Sequence, residues 1–189
     1  RDLCVRVMIG TRISLVIGVV STLFIVIIGT VYGAISGFVG GVTDNIMMRI
    51  CEIIYSIPTV LIIILLNIVL KQPLQNLFDA GKFGAFRTVG TGLICIFITF
   101  ALLYWVSMAR MVRGEILALK NSEYVTASRA LGGKGGWIIK KHLVPNCIGT
   151  VVVTTTFQIP SSIFTESFLS FIGLGVRAPM ASLGSLVND

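Results

Sequence analysis

Of the 189 residues, 55% are hydrophobic and only 12% charged, and the mean hydropathy is +0.96; a soluble domain carries roughly a quarter of its residues charged, so an ordinary soluble globule is excluded. The formal net charge of +7 would suggest nucleic acid as a partner of a soluble protein, but no aromatic residues beyond Tyr124 and Trp137 interleave with the basic cluster, so a nucleic-acid partner is not expected.

Four long charge-free runs stand out, at 13–43, 53–70, 88–109 and 143–165. At about 1.5 Å rise per residue the shortest spans about 27 Å as a helix, close to the roughly 30 Å hydrocarbon core of a bilayer. A β-barrel would show alternating strands of about ten residues, whereas Leu61, Ile62, Ile63, Ile64, Leu65 and Leu66 are apolar on every face. The pattern predicts an all-α fold, a polytopic transmembrane helix bundle with four spans, and residues 1–189 read as a single membrane domain. Arg1 in place of an initiator Met, and an end just after a stretch containing Pro and Gly, lead us to expect a piece of a longer protein.

The first span carries Gly29, Gly33, Gly37 and Gly41 at a spacing of four, one face of a helix along which another backbone can approach closely. Arg49, Glu52 and Pro58 read as the start of the second span. Arg49 and Glu52, three apart, are placed to pair, and Pro58 is expected to kink the helix near its beginning. Loop 71–87, with Pro73, Asp79, Gly81 and Gly84, shows no amphipathic period and is predicted to be irregular. The Thr88-Val89-Gly90 run lacks the Tyr-Gly continuation of a potassium filter and opens the third span instead.

Seven of the fifteen Lys and Arg fall between Arg110 and Lys141, which puts this connection on the cytoplasmic side. By the parity of the spans the turn 38–52 is then inside, and loop 71–87 outside. Within the segment, 122–131 has helix length, with Asn121 or Ser122 as N-cap and Glu123 at the positive end of the dipole. Gly132 suits the left-handed residue that ends a helix, and Gly135-Gly136 prolong the turn. Trp137 to Leu143 form a second short helix before Pro145. Tyr124, Ala127 and Leu131 share a face, a narrow apolar stripe open to another protein.

Catalysis finds little support. Cys4, Cys51, Cys95 and Cys147 have no C-x-x-C spacing, His142 is the one histidine, and no phosphate-binding G-x-x-x-x-G-K-[ST] run is present. No metal site is expected. No charged residue sits inside a run, which disfavours an ion-coupled transporter or channel. Met47, Met48, Phe100 and Phe157 read as packing residues, so no substrate-path residue is assigned. Glu52 and Glu166, at span ends, are the candidate functional charges, with interfacial anchoring as their expected role.

The run Thr126 to Pro145 resembles the "EAA" loop of ATP-binding-cassette importer permeases: Glu-Ala-Ala, three residues, Gly, nine residues, Ile, one residue, Leu-Pro. Ala127, Gly132 and Pro145 are in register, while Thr126, Ser128, His142 and Val144 replace the Glu, second Ala, Ile and Leu. The flanks are similar to the dipeptide, oligopeptide and nickel branch: Glu123-Tyr124-Val125, Arg129-Ala130-Leu131-Gly132, His142-Leu143-Val144-Pro145-Asn146, and Glu166 to Val176. Gly10 to Leu15 and Arg49 to Pro58 fit the same template, and Leu183 stands where that branch typically has Trp.

This resemblance implies a type I importer permease in the bacterial plasma (inner) membrane, with one further span before residue 1 and one after 189. It implies as partners a second permease subunit, identical or different, two cytoplasmic ATP-binding subunits, an extracytoplasmic substrate-binding protein and the lipid bilayer. Peptides are the implied substrate, with nickel as the alternative within the branch. The chain itself would be no enzyme and hold no cofactor, ATP and Mg being bound by the partner ATPase. Within the cytoplasmic loop 110–146 the ATPase-coupling residues would be Glu123, Tyr124, Thr126, Ala127, Ser128, Arg129, Leu131, Gly132 and Pro145.

Overall fold

Continuous apolar sequence becomes continuous helix in the computed structural model, which describes residues 3–79, 91–173 and 183–184. Helix α1 runs from Leu3 to Val39. Its 37 residues make a rod of about 55 Å, longer than the hydrocarbon core. It ends at Gly40 and Gly41, whose φ of 67° and 60° lie where a Cβ would be strained. Gly41 therefore lies past the end of α1, as the first residue of the next helix, and of the four only Gly29, Gly33 and Gly37 form the packing ridge.

The second span departs from expectation. Arg49 and Glu52 lie on a helix of their own, α2 (Gly41–Tyr55), while the apolar helix α3 begins at Thr59 and runs to Asp79. Pro58 falls between the two instead of kinking one. It has no N–H to give a ladder, but its carbonyl accepts from the Leu61 and Ile62 amides at 3.0 and 3.3 Å, the role a proline fills at a helix start. Residues 71–79, expected to be irregular, continue α3 through Pro73. Lys71, Gln72, Leu74, Gln75 and Leu77 are good helix formers, and one proline costs the ladder a single bond. The rest of the 71–87 loop lies outside the described residues.

The third span extends ten residues past its charge-free run. Helices α4 (Thr91–Leu103) and α5 (Trp105–Leu119) are separated by Tyr104 alone, so Arg110 and Arg113 ride on a membrane helix. The basic segment then folds as α6 (Glu123–Ala130), α7 (Gly135–Ile138), a π-helical turn (Ile139–Leu143) and α8 (Val144–Asn146), followed by α9 (Ile148–Phe171). Among the described residues three helical stretches, Cys4–Val39, Thr59–Leu77 and Thr91–Leu119, are long and apolar enough to cross a membrane. A fourth is reached by the pair Gly135–Asn146 and Ile148–Phe171, bent by 63°.

The chain packs as two compact units. The first comprises residues 1–22, 58–102 and 158–189, with Ile17, Ile63, Ile96, Phe100 and Leu169 buried. There Ser14 Oγ donates to Glu166 Oε2 at 3.0 Å, Ser170 Oγ to Glu166 Oε1 at 2.6 Å, and the Leu183 amide to Ser14 Oγ at 3.3 Å. Glu166, expected to be an interfacial anchor, is instead fully buried. The hydroxyls of the flanking serines take the place of water around its carboxyl.

The second unit comprises 23–57 and 103–157. Its core joins Ile25, Ala34, Met108, Val112 and Ile116 to Val125, Ile138, Leu143 and Cys147. The glycine ridge is what lets α1 lie against α5. A Cβ on Gly29 would come within 2.6 Å of Met108 Cβ, one on Gly37 within 2.9 Å of Ile116 Cβ, and one on Gly33 would collide with the Ala109 carbonyl.

Candidate interaction surface

Three backbone amides of the second unit close the end of α6. Leu131 N donates to Ala127 O at 3.1 Å, Gly132 N to Arg129 O at 3.0 Å, and Gly133 N to Ser128 O at 2.9 Å. With Gly132 at φ 82°, this is the Schellman pattern that satisfies the last carbonyls of a helix. Gly132 is needed for its conformation. Gly133 is needed for space, since a Cβ there would sit 2.8 Å from both Ser128 oxygens. At the other end Ser122 is the N-cap, but its hydroxyl makes no capping bond and donates instead to Leu119 O at 2.6 Å.

The inner face of the segment anchors it. Val125, Ile138 and Leu143 are buried against Met108, Val112 and Ile116 of α5. Phe38, near the end of α1, is covered by Arg129, whose guanidinium carbon lies 5.1 Å from the ring centroid, a cation–π contact. The same ring leaves no room for a side chain on Gly135, whose Cβ would come within 2.9 Å. The π turn Ile139–Leu143, which ends with Val144 N–H on Ile139 O, absorbs the approach to Pro145. Proline cannot continue an ordinary ladder, and such turns are frequent at functional sites.

The outer face is open. Tyr124, Ala127, Ser128, Leu131, Gly132, Gly133, Lys134, Trp137 and His142 line a cleft of about 700 Å³. Leu131 is 89% exposed and Trp137 52%, apolar surface of the kind that marks a protein contact. His142 meets the Trp137 ring edge-on at 5.0 Å and the tilted Tyr124 ring at 6.2 Å, forming one aromatic wall. Ser128 Oγ is buried and without a hydrogen-bond partner.

Of the residues singled out in the sequence, Tyr124, Ala127, Ser128, Leu131 and Gly132 come together here. Glu123 and Thr126 lie outside the cleft, Thr126 with its hydroxyl on Ser122 O at 3.1 Å. Arg129 turns to Phe38, and Pro145 follows the π turn. Gly133, Lys134, Trp137 and His142 were missed; an aromatic residue in a basic connection was the available sign. Glu52 pairs with Arg49 at 2.8 Å, both largely exposed. Among the described residues no cluster of three His, Cys, Asp or Glu could hold a metal.

Residues 29–189 match the family model described as binding-protein-dependent transport system inner membrane component. Over its whole length the chain is 45% identical to the oligopeptide transport system permease protein OppC of Bacillus subtilis, covering 56% of that protein. It is 43% identical to the dipeptide transport system permease protein DppC of the same organism, covering 53%. It is 32% identical to the glutathione transport system permease protein GsiD of Pectobacterium atrosepticum, covering 56%. The chain thus spans just over half the length of these curated relatives.

Proposed function

From a chain that belongs to the family of binding-protein-dependent transport system inner membrane components and has an all-α, membrane-spanning fold, we propose the permease subunit of an ATP-driven peptide importer. The names of its relatives, permeases of oligopeptide, dipeptide and glutathione systems, favour peptides over nickel as substrate. In this reading the chain is one piece of a single permease domain in the bacterial plasma membrane and forms part of the translocation path. ATP and Mg are bound, and ATP hydrolysed, by a separate cytoplasmic subunit pair. A second permease subunit and an extracytoplasmic binding protein complete the assembly.

The observation that carries the proposal is the cleft along α6 and α7, apolar and open outward while its floor is locked to α1 and α5. A knob of the ATPase seated there would grip Tyr124, Ala127, Ser128, Leu131 and Gly132, with Glu123 and Thr126 at its border. Because Val125 sits in the α5 core and Arg129 clasps Phe38, a push on α6 moves the ends of two membrane helices rather than a slack loop. Closure of the ATPase pair could then bias the spans between inward-facing and outward-facing states.

The test is purification of the full-length protein from its native membrane, with co-purifying chains identified by mass spectrometry, for the wild type and for Leu131→Asp. Leu131 is nearly fully exposed, so its replacement leaves the fold intact. Recovery of an ATPase with the wild type and its loss with L131D is the expected result. Recovery of the protein without any ATPase or second permease overturns the reading.

A further inference from the structure

A second cavity of the same unit, of about 570 Å³, is lined by Asn45, Met48, Arg49, Glu52, Arg110 and Arg113, none of them part of the α6–α7 cleft. Its charges do not cancel. Arg113 is taken up by Asp44 at 2.5 Å and Arg49 by Glu52 at 2.8 Å. Among the described residues Arg110 has no carboxylate partner, and its guanidinium carbon lies 4.7 Å from the Tyr55 ring centroid. Three guanidinium groups thus face two carboxylates. The Arg49–Glu52 bridge is also weak, because both side chains are mostly exposed, so an incoming anion can take Arg49 from Glu52 at little cost.

The helix that carries this cavity has a second sector. Val42, Ile46, Ile50 and Ile53 recur at the spacing of one helix face, and all four are exposed. Asn45, Arg49 and Glu52 occupy the adjoining face. The 15 residues of α2 span about 22 Å, too short to cross a bilayer. A short helix with an apolar stripe beside a cationic edge is built to lie in a membrane interface. The cavity also belongs to the same helix ends as the basic connection, since Lys120 Nζ reaches Gly37 O at 3.3 Å just before the turn into α2. Basic pockets at the cytoplasmic ends of membrane helices fit anionic lipid headgroups.

We propose that this cavity binds the phosphate of an anionic phospholipid through Arg110 and Arg49, with the acyl chains lying along Val42, Ile46, Ile50 and Ile53. The test uses the full-length protein in nanodiscs of phosphatidylcholine with and without phosphatidylglycerol, reading retained lipid by native mass spectrometry and thermal unfolding in parallel. Phosphatidylglycerol should be retained in preference to phosphatidylcholine and should raise the unfolding temperature. Arg110→Gln and Arg49→Gln should each weaken retention about fivefold. Glu52→Gln should strengthen it, because Arg49 is released, an effect that a merely structural role would not produce. Lys140→Gln, the same change of charge on an exposed residue outside the cavity, should change nothing.

Retention that survives both arginine substitutions, or falls equally with K140Q, overturns the proposal. So does inorganic phosphate alone, if it stabilises the protein in phosphatidylcholine and displaces phosphatidylglycerol, for the site then takes a soluble anion. Lipid that is absent whenever a second permease subunit is bound would assign the face to that subunit instead.

Discussion

Arg113 closes on Asp44 with both ends of its fork, Nε on Oδ1 and Nη2 on Oδ2, each at 2.5 Å. The partners are 69 residues apart in sequence and tie α2 to α5. Ser36 of α1 donates to the same Asp44 Oδ1 at 2.5 Å, so three helices meet on one carboxylate. Asp44 is buried, and such a pair matters most when it is broken, because the partner left behind remains charged in a poor solvent. Asp44→Asn should therefore destabilise the full-length protein by on the order of 3 kcal/mol at neutral pH, measured by thermal unfolding in a mild detergent.

The same pair predicts a pH dependence. The Arg113 guanidinium beside Asp44 holds its carboxyl below the usual carboxylate range, against the opposing effect of burial. A carboxyl depressed on folding contributes stability that is fully present above its unfolded value, about 3.9. That contribution is lost as pH falls through the lower, folded value. The stability gap between wild type and D44N should hold at pH 7 and shrink once the pH drops below about 4. A gap that widens with acid would contradict the assignment.

Gly33 faces backbone, not a side chain that could swing away. Its Cβ would collide with the Ala109 carbonyl and stand 3.0 Å from the Arg113 amide nitrogen. Gly33→Ala should cost about 1–3 kcal/mol through overpacking. Gly114→Ala, on α5 with open space around it, should be neutral or slightly stabilising through helix propensity. Thermal unfolding of the two variants side by side separates close approach from a general intolerance of substitution.

Glu166 tests a different kind of burial. Its carboxyl oxygens accept from Ser14 and Ser170, and an amide of the same shape retains one acceptor and offers a donor to a hydroxyl that can rotate. Glu166→Gln should stay close to wild-type stability, whereas Glu166→Ala, removing the carboxyl that accepts from both buried hydroxyls, should lose about 1–3 kcal/mol. Peptide uptake by cells carrying E166Q adds a functional readout. Normal stability with abolished uptake would show that the ionisable group, and not its shape, is used in transport.

At the α6 corner, Gly132→Ala forces a Cβ into the left-handed region, at a cost of about 1–2 kcal/mol. Gly133→Ala drives one into the Ser128 carbonyl. Either change should lower transport-coupled ATP hydrolysis in reconstituted vesicles more than it lowers the unfolding temperature. Gly136→Ala, with nothing within 4 Å, should leave both unchanged.

Composition and local pattern alone determined that this is an all-α membrane chain, that Gly29, Gly33 and Gly37 form a packing ridge, that Arg49 pairs with Glu52, and that α6 ends at Gly132. Each of these follows from chemistry within a few residues: apolar length against bilayer thickness, i to i+4 geometry, and the left-handed preference of glycine. Tertiary structure decided what depends on which helices meet. Asp44 drew no notice until α5 brought Arg113 to it, and Glu166 read as an interfacial charge until the serines of α1 and α9 enclosed it. His142 was only the one histidine of the basic connection until the corner at Gly132 brought Trp137 and Tyr124 against it. Burial and long-range pairing are properties of packed surfaces, and a residue type carries no record of its neighbours across the fold.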